Sequence, residues 1–328
     1  MVRSRNIYEQ QAHNKRLTLL VMLAFIVFLG ILGLGFDSFY LGTVNQHLFL
    51  PLGTFAAVAF GTGSAVWSLR GGSRAVLNSS GAVPADPANP AQHQLINVVE
   101  EMAIASGLPR PAVYVVPDAD PNAFATGSTP ETSAIAVTQG LLDSLTREEL
   151  QGVVAHEMSH IRNYDVRLMT VVAALLGAIL LLADWARRSL WYGGGSRRRR
   201  SSGASGGAGI ILLVVWLLGI ILAPIIGQIM AMAVSRRREY LADASGAELT
   251  RNPLGLANAL KKLDSASAPT ASIKRGAAHL CIVDPLGRNV NSKEGATAEL
   301  FGTHPPIAKR ILALQAMAYQ FRGATTVA

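Results

Sequence analysis

Four long apolar stretches, separated by polar segments, set the pattern of the chain. They cover residues 17–36, 48–69, 168–186 and 209–234. Each is close to the roughly 20 residues that a helix needs to cross the hydrocarbon core of a bilayer. The pattern therefore predicts a membrane protein with about four transmembrane helices.

The first two stretches predict a hairpin whose outer ends face the cytoplasm. The turn between them contains Asp37 and neither Lys nor Arg. Basic residues lie at the outer ends of the hairpin, before the first stretch and after the second: Arg3, Arg5, Lys15, Arg16, Arg70 and Arg74. The positive-inside rule places such ends in the cytoplasm. A cleaved signal peptide would have a shorter apolar core followed by a small-residue cleavage site, so we prefer the hairpin.

The later two stretches leave two alternatives open. If both cross the membrane, the segments before and after them lie on the same side. The loop between them would then carry Arg187, Arg188 and the run 197–200 to the outside, against the positive-inside rule. Alternatively, these helices are partly embedded or extend out of the bilayer. We expect two crossings.

Between and after these stretches, the pattern predicts a mainly helical soluble part with a small β-sheet. Strand patterns begin at Ala112 and Ser133, with an edge strand or turn over 122–127. Thr146 and Glu149 form a capping-box pattern, which predicts a helix beginning near Arg147. The predicted segments are the hairpin (1–70), a linker rich in Gly and Pro (71–93), the first part of the soluble domain (94–167), the second apolar pair (168–234) and the second part of that domain (235–328).

Composition narrows the class of protein. Half of the 328 residues are apolar and 15% are charged, fewer charged residues than in ordinary soluble domains. The net charge of +8 comes largely from arginine runs beside apolar stretches, so it indicates contact with a lipid bilayer and no nucleic-acid partner. The single cysteine, Cys281, excludes an internal disulfide and suits a reducing compartment.

The stretch VVAHEMSHIRNYD, residues 153–165, contains the most informative motif. His156 and His160 are four residues apart, so on a helix they lie on one face, one turn apart. Two such imidazoles can bind one zinc ion, and a catalytic zinc takes a third protein ligand and leaves one place for water. Glu157 lies near that open place, where a carboxylate can take a proton from the attacking water.

The third ligand has several candidates. In RRREYLADASGAEL, Glu239 and Asp243 are four apart on a predicted helix. Glu239 can bind zinc while Asp243 accepts the outer N–H of a ligating histidine. Alternatively, both acids pair with the neighbouring arginines on a solvated face. Asp165 and His279 are further candidates, although Asp165 is better placed to brace the local turn.

The motifs HEMSHIRNYD, EYLAD and THPPIAKRI, in this order and with the membrane hairpin before them, resemble those of the HtpX-like membrane-integral zinc metalloproteases. These are relatives of the CAAX prenyl proteases. The resemblance implies an α+β membrane protein with a zincin-type catalytic domain whose active site faces the cytoplasm. It implies that His156, His160 and Glu239 bind zinc, that Glu157 is the general base, and that Asp243 is the supporting carboxylate.

His304 and Arg310 lie in THPPIAKRIL, where two prolines begin a predicted helix. A rigidly held His304, with Arg310 two turns later, can donate hydrogen bonds to the oxyanion that forms at the substrate carbonyl. The resemblance supports this catalytic role. The alternative is a helix-capping histidine and a surface arginine.

The resulting functional prediction is a zinc metalloendopeptidase of the cell inner membrane that degrades unfolded or damaged membrane proteins. One alternative is a processing protease specific for a lipidated or signalling substrate. Another is a membrane scaffold with a structural metal, but structural zinc normally has four protein ligands and would leave Glu157 without a purpose.

Overall fold

The computed structural model describes residues 7–37, 51–192, 236–266, 269–273, 275–285 and 305–325. The fourth apolar stretch (209–234), the arginine run 197–200 and His304 lie outside the described residues.

The described part of the chain is mainly helical with one small mixed sheet, as the sequence predicted. Its helices are α1 (Ile7–Phe36), α2 (Leu52–Ser79), α3 (Pro90–Ser106), α4 (Gln139–Ser144), α5 (Arg147–Arg162), α6 (Asp165–Tyr192), α7 (Arg236–Thr250), α8 (Pro253–Ser265) and α9 (Ile307–Thr325). Its strands are β1 (Val83–Pro84), β2 (Ala112–Val116), β3 (Ala123–Thr126) and β4 (Ala134–Thr138). Short 3₁₀ turns cover Pro130–Thr132 and Arg275–Leu280.

Helices α1 and α2 form the predicted hairpin. Two segments, Tyr8–Gly35 and Leu52–Ser79, are each long and apolar enough to cross a membrane. The helices approach closely at Gly33, where a Cβ atom would lie 2.7 Å from the Thr54 Cα. Asp37 accepts hydrogen bonds of 2.7 Å from the N–H groups of Gly53 and Thr54 and so caps the start of α2.

Four transmembrane helices are not confirmed. Helix α6 qualifies as a third crossing only if it is taken together with α5 as one broken span, and the two helices meet at a bend of 84°. Apolar residues of α6, including Val171, Leu175 and Ile179, pack against both hairpin helices.

The irregular structure predicted for 71–93 was wrong. Helix α2 continues to Ser79 because its last turns pack against other elements: Gly72 lies against Thr170 of α6, and Val76 and Leu77 are buried. Strand β1 then pairs with β2, and Asn89 caps the start of α3. Gly72 is a packing position and Gly81, with φ of 68°, is a turn residue, while the domain boundary in this region stays a prediction.

The sheet joins the soluble part to the membrane helices. Its strand order is β1-β2-β4-β3, with β2 and β4 parallel and the other pairs antiparallel, so β3 lies at an edge as predicted. One face packs on α3, α5 and α8. The other face, which includes Phe124 and Ala136, packs on the end of α2 and the start of α6. The sheet is therefore covered on both sides.

Helix α5 lies at the centre of the soluble part. It begins with the predicted capping box, in which the Thr146 hydroxyl accepts from the Glu149 N–H and the Glu149 carboxylate accepts from the Thr146 N–H. Most of its residues are buried, and α3, α7 and α8 pack around it. Tyr164, in a left-handed conformation with φ of 58°, separates α5 from α6.

Candidate metal centre

Three side chains converge at the centre of the soluble part. His156 and His160 extend from α5, and Glu239 extends from α7. The Nε2 atoms of the histidines are 3.2 Å apart. Glu239 Oε2 lies 3.6 Å from His156 Nε2, and Glu239 Oε1 lies 3.5 Å from His160 Nε2. All three residues are buried, so α5 and α7 bring the predicted ligands together.

These spacings fit one tetrahedral metal ion. Ligand atoms bonded to zinc at about 2.0–2.1 Å in a tetrahedron lie about 3.3 Å from each other. The two histidine nitrogens, 3.2 Å apart, are close to that value, and the two Glu239 oxygens lie 3.6 and 3.5 Å from different histidines; one donor atom from each residue lies within 4.8 Å of the others. Two neutral imidazoles and one carboxylate are also a donor set that zinc accepts. The side chains therefore have both the chemistry and the spacing that a metal ion requires.

A carboxylate faces the outer nitrogen of each histidine. His156 Nδ1 lies 3.0 Å from Asp243 Oδ1, and His160 Nδ1 lies 3.2 Å from Asp165 Oδ2. The His160 contact is a hydrogen bond, which a proton on its Nδ1 satisfies, whereas the contact of His156 with Asp243 is a close approach between the two groups; a proton on each Nδ1 leaves each Nε2 lone pair available to the shared centre. Such carboxylates orient ligating histidines and raise their basicity. Asp243 was predicted in this position, whereas the contact between Asp165 and His160 was not.

Gly246 explains how α7 approaches α5 so closely. A Cβ atom at this position would lie 3.0 Å from the backbone nitrogen of His156 and 3.2 Å from its Cα. Because Gly246 is three residues after Asp243, it lies on the face of α7 that meets the first histidine. A glycine at this crossing permits the helix separation that the ligand distances require.

Glu157 lies beside the three donors and beside the edge strand. Its carboxylate is 1% exposed and accepts a hydrogen bond from the Ala125 N–H of β3. Burial raises the pKa of Glu157 to about 7, against the lowering effect of the charges on His160 and Arg310. A carboxylate with a pKa near neutrality can both accept and return a proton at neutral pH.

The electrostatics of the two histidines favour one positive charge between them. Burial lowers the pKa of His156, in spite of its contact with Asp243. Burial also acts to lower the pKa of His160, but Asp165 and Glu239 outweigh it and raise the pKa to about 9. The acidic surroundings therefore stabilise a cation at this centre.

Arg310 lies behind the donors and is fully buried. Its Nε and Nη2 donate to the two oxygens of Asp243 at 2.8 and 2.7 Å. Its Nη1 donates to the Ile282 carbonyl at 3.0 Å and lies 3.4 Å from Glu239 Oε2. The sequence predicted Arg310 as a donor to the oxyanion, or else as a surface residue. The structure excludes the surface alternative and places Arg310 in contact with two acids of α7.

The remaining candidates occupy other positions. His279 Nε2 lies 3.0 Å from the Met169 carbonyl, and His279 is not part of the donor cluster among the described residues. Sequence reasoning also missed the buried guanidinium of Arg238, whose Nη1 lies 3.7 Å from Asp165. The only sign in the sequence that Arg238 lies at this site was its position directly before Glu239. His304 lies outside the described residues.

The outer side of β3 is partly occupied. The Ile282 N–H donates to the Ala123 carbonyl at 2.9 Å, and Phe124 forms a bridge with Cys281. Together with the bond between Ala125 and Glu157, these contacts engage two outward-facing backbone groups of the edge strand, the Ala123 carbonyl and the Ala125 N–H.

Comparisons with known proteins identify the family of this chain. Residues 89–318 match the family described as Peptidase family M48. The chain belongs to this peptidase family. It is 43% identical over 318 residues to a "Protease HtpX homolog" of Caldanaerobacter subterraneus subsp. tengcongensis, a match that covers 95% of this chain and 98% of the relative. A "Protease HtpX homolog" of Lactiplantibacillus plantarum is 42% identical over 311 residues, with 95% and 100% covered.

Among solved structures, that of S. mikatae Ste24p matches with a TM-score of 0.48 and 20% identity, over 94% of this chain and 67% of that chain. The family membership confirms the resemblance that the motifs indicated. The M48 chain described here is a membrane-bound metalloendopeptidase.

Proposed function

We propose that this M48 peptidase is a zinc endopeptidase in which His156, His160 and Glu239 bind the metal and Glu157 is the general base. The observation that carries the proposal is the convergence of three buried side chains, with each histidine Nε2 3.5–3.6 Å from one Glu239 oxygen and 3.2 Å from the other Nε2, and with a carboxylate behind each histidine. A bound zinc ion would supply Lewis acidity toward the substrate carbonyl and acidify a water molecule.

The side chains of this chain supply the proton transfers and the orientation. Glu157, buried beside the three metal-binding side chains, takes the proton of the attacking water and returns it to the leaving amine. Asp243 and Asp165 orient the two histidines. Arg310 holds Asp243 through two hydrogen bonds, so its contacts favour support of the carboxylates over direct contact with substrate. Stabilisation of the oxyanion by His304 stays a prediction.

The contacts of the hairpin support an active site that faces the cytoplasm. Near the start of α1, Gln11 and Asn14 donate hydrogen bonds to backbone carbonyls at the end of α5. Near the end of α2, the Ser128 hydroxyl donates to the Leu69 carbonyl. Both outer ends of the hairpin therefore contact the domain that holds the site. These are the basic ends, which the positive-inside rule assigns to the cytoplasm.

The substrates we propose are unfolded or damaged membrane proteins, with the cell inner membrane as the location. An active site held next to membrane helices is accessible to segments of other membrane proteins. A processing role on a lipidated substrate remains the alternative. Cleavage of an unfolded model protein and of a prenylated peptide, each with and without chelator, separates the two roles.

The decisive variant is Glu157→Gln. We expect it to retain zinc in stoichiometric amount and to lose proteolysis by at least about a hundredfold, because general-base catalysis contributes roughly 10²–10⁴ in rate. Metal content and cleavage of an unfolded substrate are measured on the same purified sample. Glu148→Gln, an exposed change on the same helix, is the matched control and should leave both unchanged.

Two results would contradict the proposal. Full proteolysis in Glu157→Gln would exclude this residue as the base. Zinc bound equally well after His156→Ala or Glu239→Ala would exclude the assigned ligands.

A further inference from the structure

Asn14 is a fully buried polar residue of α1 that contacts the candidate metal centre. Its Nδ2 donates to Asp165 Oδ1 at 2.6 Å and to the Asn163 carbonyl at 2.9 Å. Both partners are acceptors, so the amide NH₂ group must point toward them. Asn14 thereby joins the membrane hairpin to the carboxylate behind His160.

A buried amide at this position requires a reason. Burying such a group costs free energy unless it forms hydrogen bonds, and an apolar side chain would suit a helix that packs on other helices. The two hydrogen bonds of Asn14 both cross to the turn between α5 and α6. These two contacts account for the burial of the NH₂ group, while Oδ1 has no hydrogen-bond partner among the described residues.

Asp165 is the group that depends on this contact. It is fully buried at the start of α6, and its Oδ2 faces His160. Asn14 Nδ2 lies 2.6 Å from Asp165 Oδ1, whereas Arg238 Nη1 lies 3.7 Å from the same oxygen. Without the Asn14 amide, the Arg238 guanidinium would be the nearer of these two donors to Oδ1. Rotation of the Asp165 carboxylate toward Arg238 would then draw Oδ2 away from His160.

The same helix also caps the end of α5. The last carbonyls of a helix lack partners within the helix. Gln11 Nε2 donates to the Arg162 carbonyl at 2.8 Å, and Asn14 donates to the Asn163 carbonyl. The Lys15 ammonium lies 4.0 Å from the centre of the Tyr164 ring, which belongs to the same turn. Three consecutive residues, the last of α5 and the two of the following turn, are thus held by α1.

We propose that Asn14 is a positioning residue of the metal centre. By fixing Asp165 it sets the orientation of His160, so the membrane hairpin supports the ligand set as well as anchoring the chain. This inference rests on the proposed function, since it requires His160 to bind the metal.

The test measures metal binding on the purified full chain in detergent. Zn²⁺ affinity is determined by competition with a chromophoric chelator for the wild type, Asn14→Ala and Asn14→Ser. We expect both variants to lose affinity by about tenfold, the low end of the effect of groups that orient metal ligands. The visible spectrum of the Co²⁺-loaded protein should also change, because it reports ligand geometry.

Two controls separate positioning from general packing. Ser68→Ala removes a buried hydroxyl of the same hairpin that bonds only within α2 to the Ala65 carbonyl, and it should leave zinc affinity and the cobalt spectrum unchanged. In an Asp165→Asn background, Asn14→Ala should cause little further loss, because Asn14 acts through that carboxylate.

Wild-type affinity and an unaltered cobalt spectrum in the Asn14 variants would overturn the inference and leave the proposed function intact. If Asn14→Ala does not fold, the inference is tested with Asn14→Ser alone, because the serine hydroxyl is polar but too short to reach Asp165. Failure of the wild type itself to bind Zn²⁺ would refute the proposed metal site.

Discussion

Arg310 shows how much a single buried residue supports at this site. Its guanidinium holds both oxygens of Asp243, which is itself buried. Arg310→Met would leave that carboxylate without its charged partner, and breaking a buried ion pair from one side costs about 3–5 kcal/mol. We expect a loss of that size in the free energy of unfolding, measured by denaturant titration, together with weaker zinc binding.

Lys309→Met is the matched control, because Lys309 precedes Arg310 on the same helix but is exposed. It should change the free energy of unfolding by less than about 0.5 kcal/mol. An Arg310→Met protein with wild-type stability and metal content but greatly reduced kcat would contradict this account and favour the direct catalytic role that the sequence suggested.

Single residues also show the limits of reading the site from the sequence. His156, Glu157 and His160 were predictable because helical spacing alone places them together. Asp165 was considered as a rival third ligand and as a local brace, but not as a partner of His160, since nothing in the sequence shows that the turn after α5 directs its carboxylate back to that histidine. Asn14 could not be found at all, because its partner is 151 positions away.

At the scale of helices, the crossing of α5 and α7 depends on Gly246. Alanine usually stabilises a helix by about 1 kcal/mol relative to glycine. In Gly246→Ala, however, the new methyl group would press on backbone atoms of α5 at 3.0–3.2 Å, which cannot rotate away. We expect a net destabilisation of about 1–3 kcal/mol by denaturant titration, with reduced zinc affinity.

Gly177→Ala in α6 is the corresponding control, because, apart from its own helix backbone, no atom of the described residues lies within 4 Å of its Cβ position. That change should leave stability equal or slightly higher and zinc affinity unaltered. Equal behaviour of the two alanine variants would show that the helices do not need this close approach.

The start of α5 has a predictable response to acid. Burial raises the pKa of Glu149, but hydrogen bonds from Lys262 at 2.6 Å and from the Thr146 N–H outweigh this and hold the pKa below its ordinary value of 4.5. The folded state therefore binds this proton less readily than the unfolded chain. The stability that results is present above pH 4.5 and is lost as the pH falls below it.

Unfolding midpoints of the wild type and of Glu149→Gln, recorded from about pH 6 to pH 3, test this expectation. The difference between the two proteins should shrink as the pH falls, whereas Glu148→Gln should follow the wild type throughout. A constant difference over this range would show that the carboxylate charge does not contribute.

At the scale of the whole molecule, the orientation of the hairpin can be tested with introduced cysteines. The native Cys281 is 1% exposed, and burial raises the pKa of its thiol, so it should not react. In intact cells, a membrane-impermeant maleimide should label Asn45→Cys in the predicted outer turn. Asn78→Cys, at the exposed end of α2, should react only after permeabilisation. The reverse pattern would place the active site outside the cytoplasm.

The general architecture was predictable from the sequence where the signal was local. The hairpin followed from apolar length, and the start of α5 followed from its capping box. The structure of 71–93 was not predictable, because Gly72 and Pro90 indicate a loop when the sequence is read alone. Their places in helices become evident only from contacts with helices that are distant in sequence. The two-sided burial of the sheet likewise depends on α2 and α6, which are distant in sequence from some of its strands.

The contact between Asn14 and Asp165 also fixes the depth at which bonds can be cut. Asn14 precedes the apolar stretch 17–36 by three residues, or about 5 Å of helix, and Asp165 contacts both Asn14 and His160. Under the proposed function, the scissile bond therefore lies on the order of 15 Å from the start of that stretch, a distance that four to five extended residues cover. Cleavage sites in membrane-protein substrates should cluster beside the ends of their spanning helices. Loops farther from the membrane should not be cleaved until the substrate moves closer to the active site.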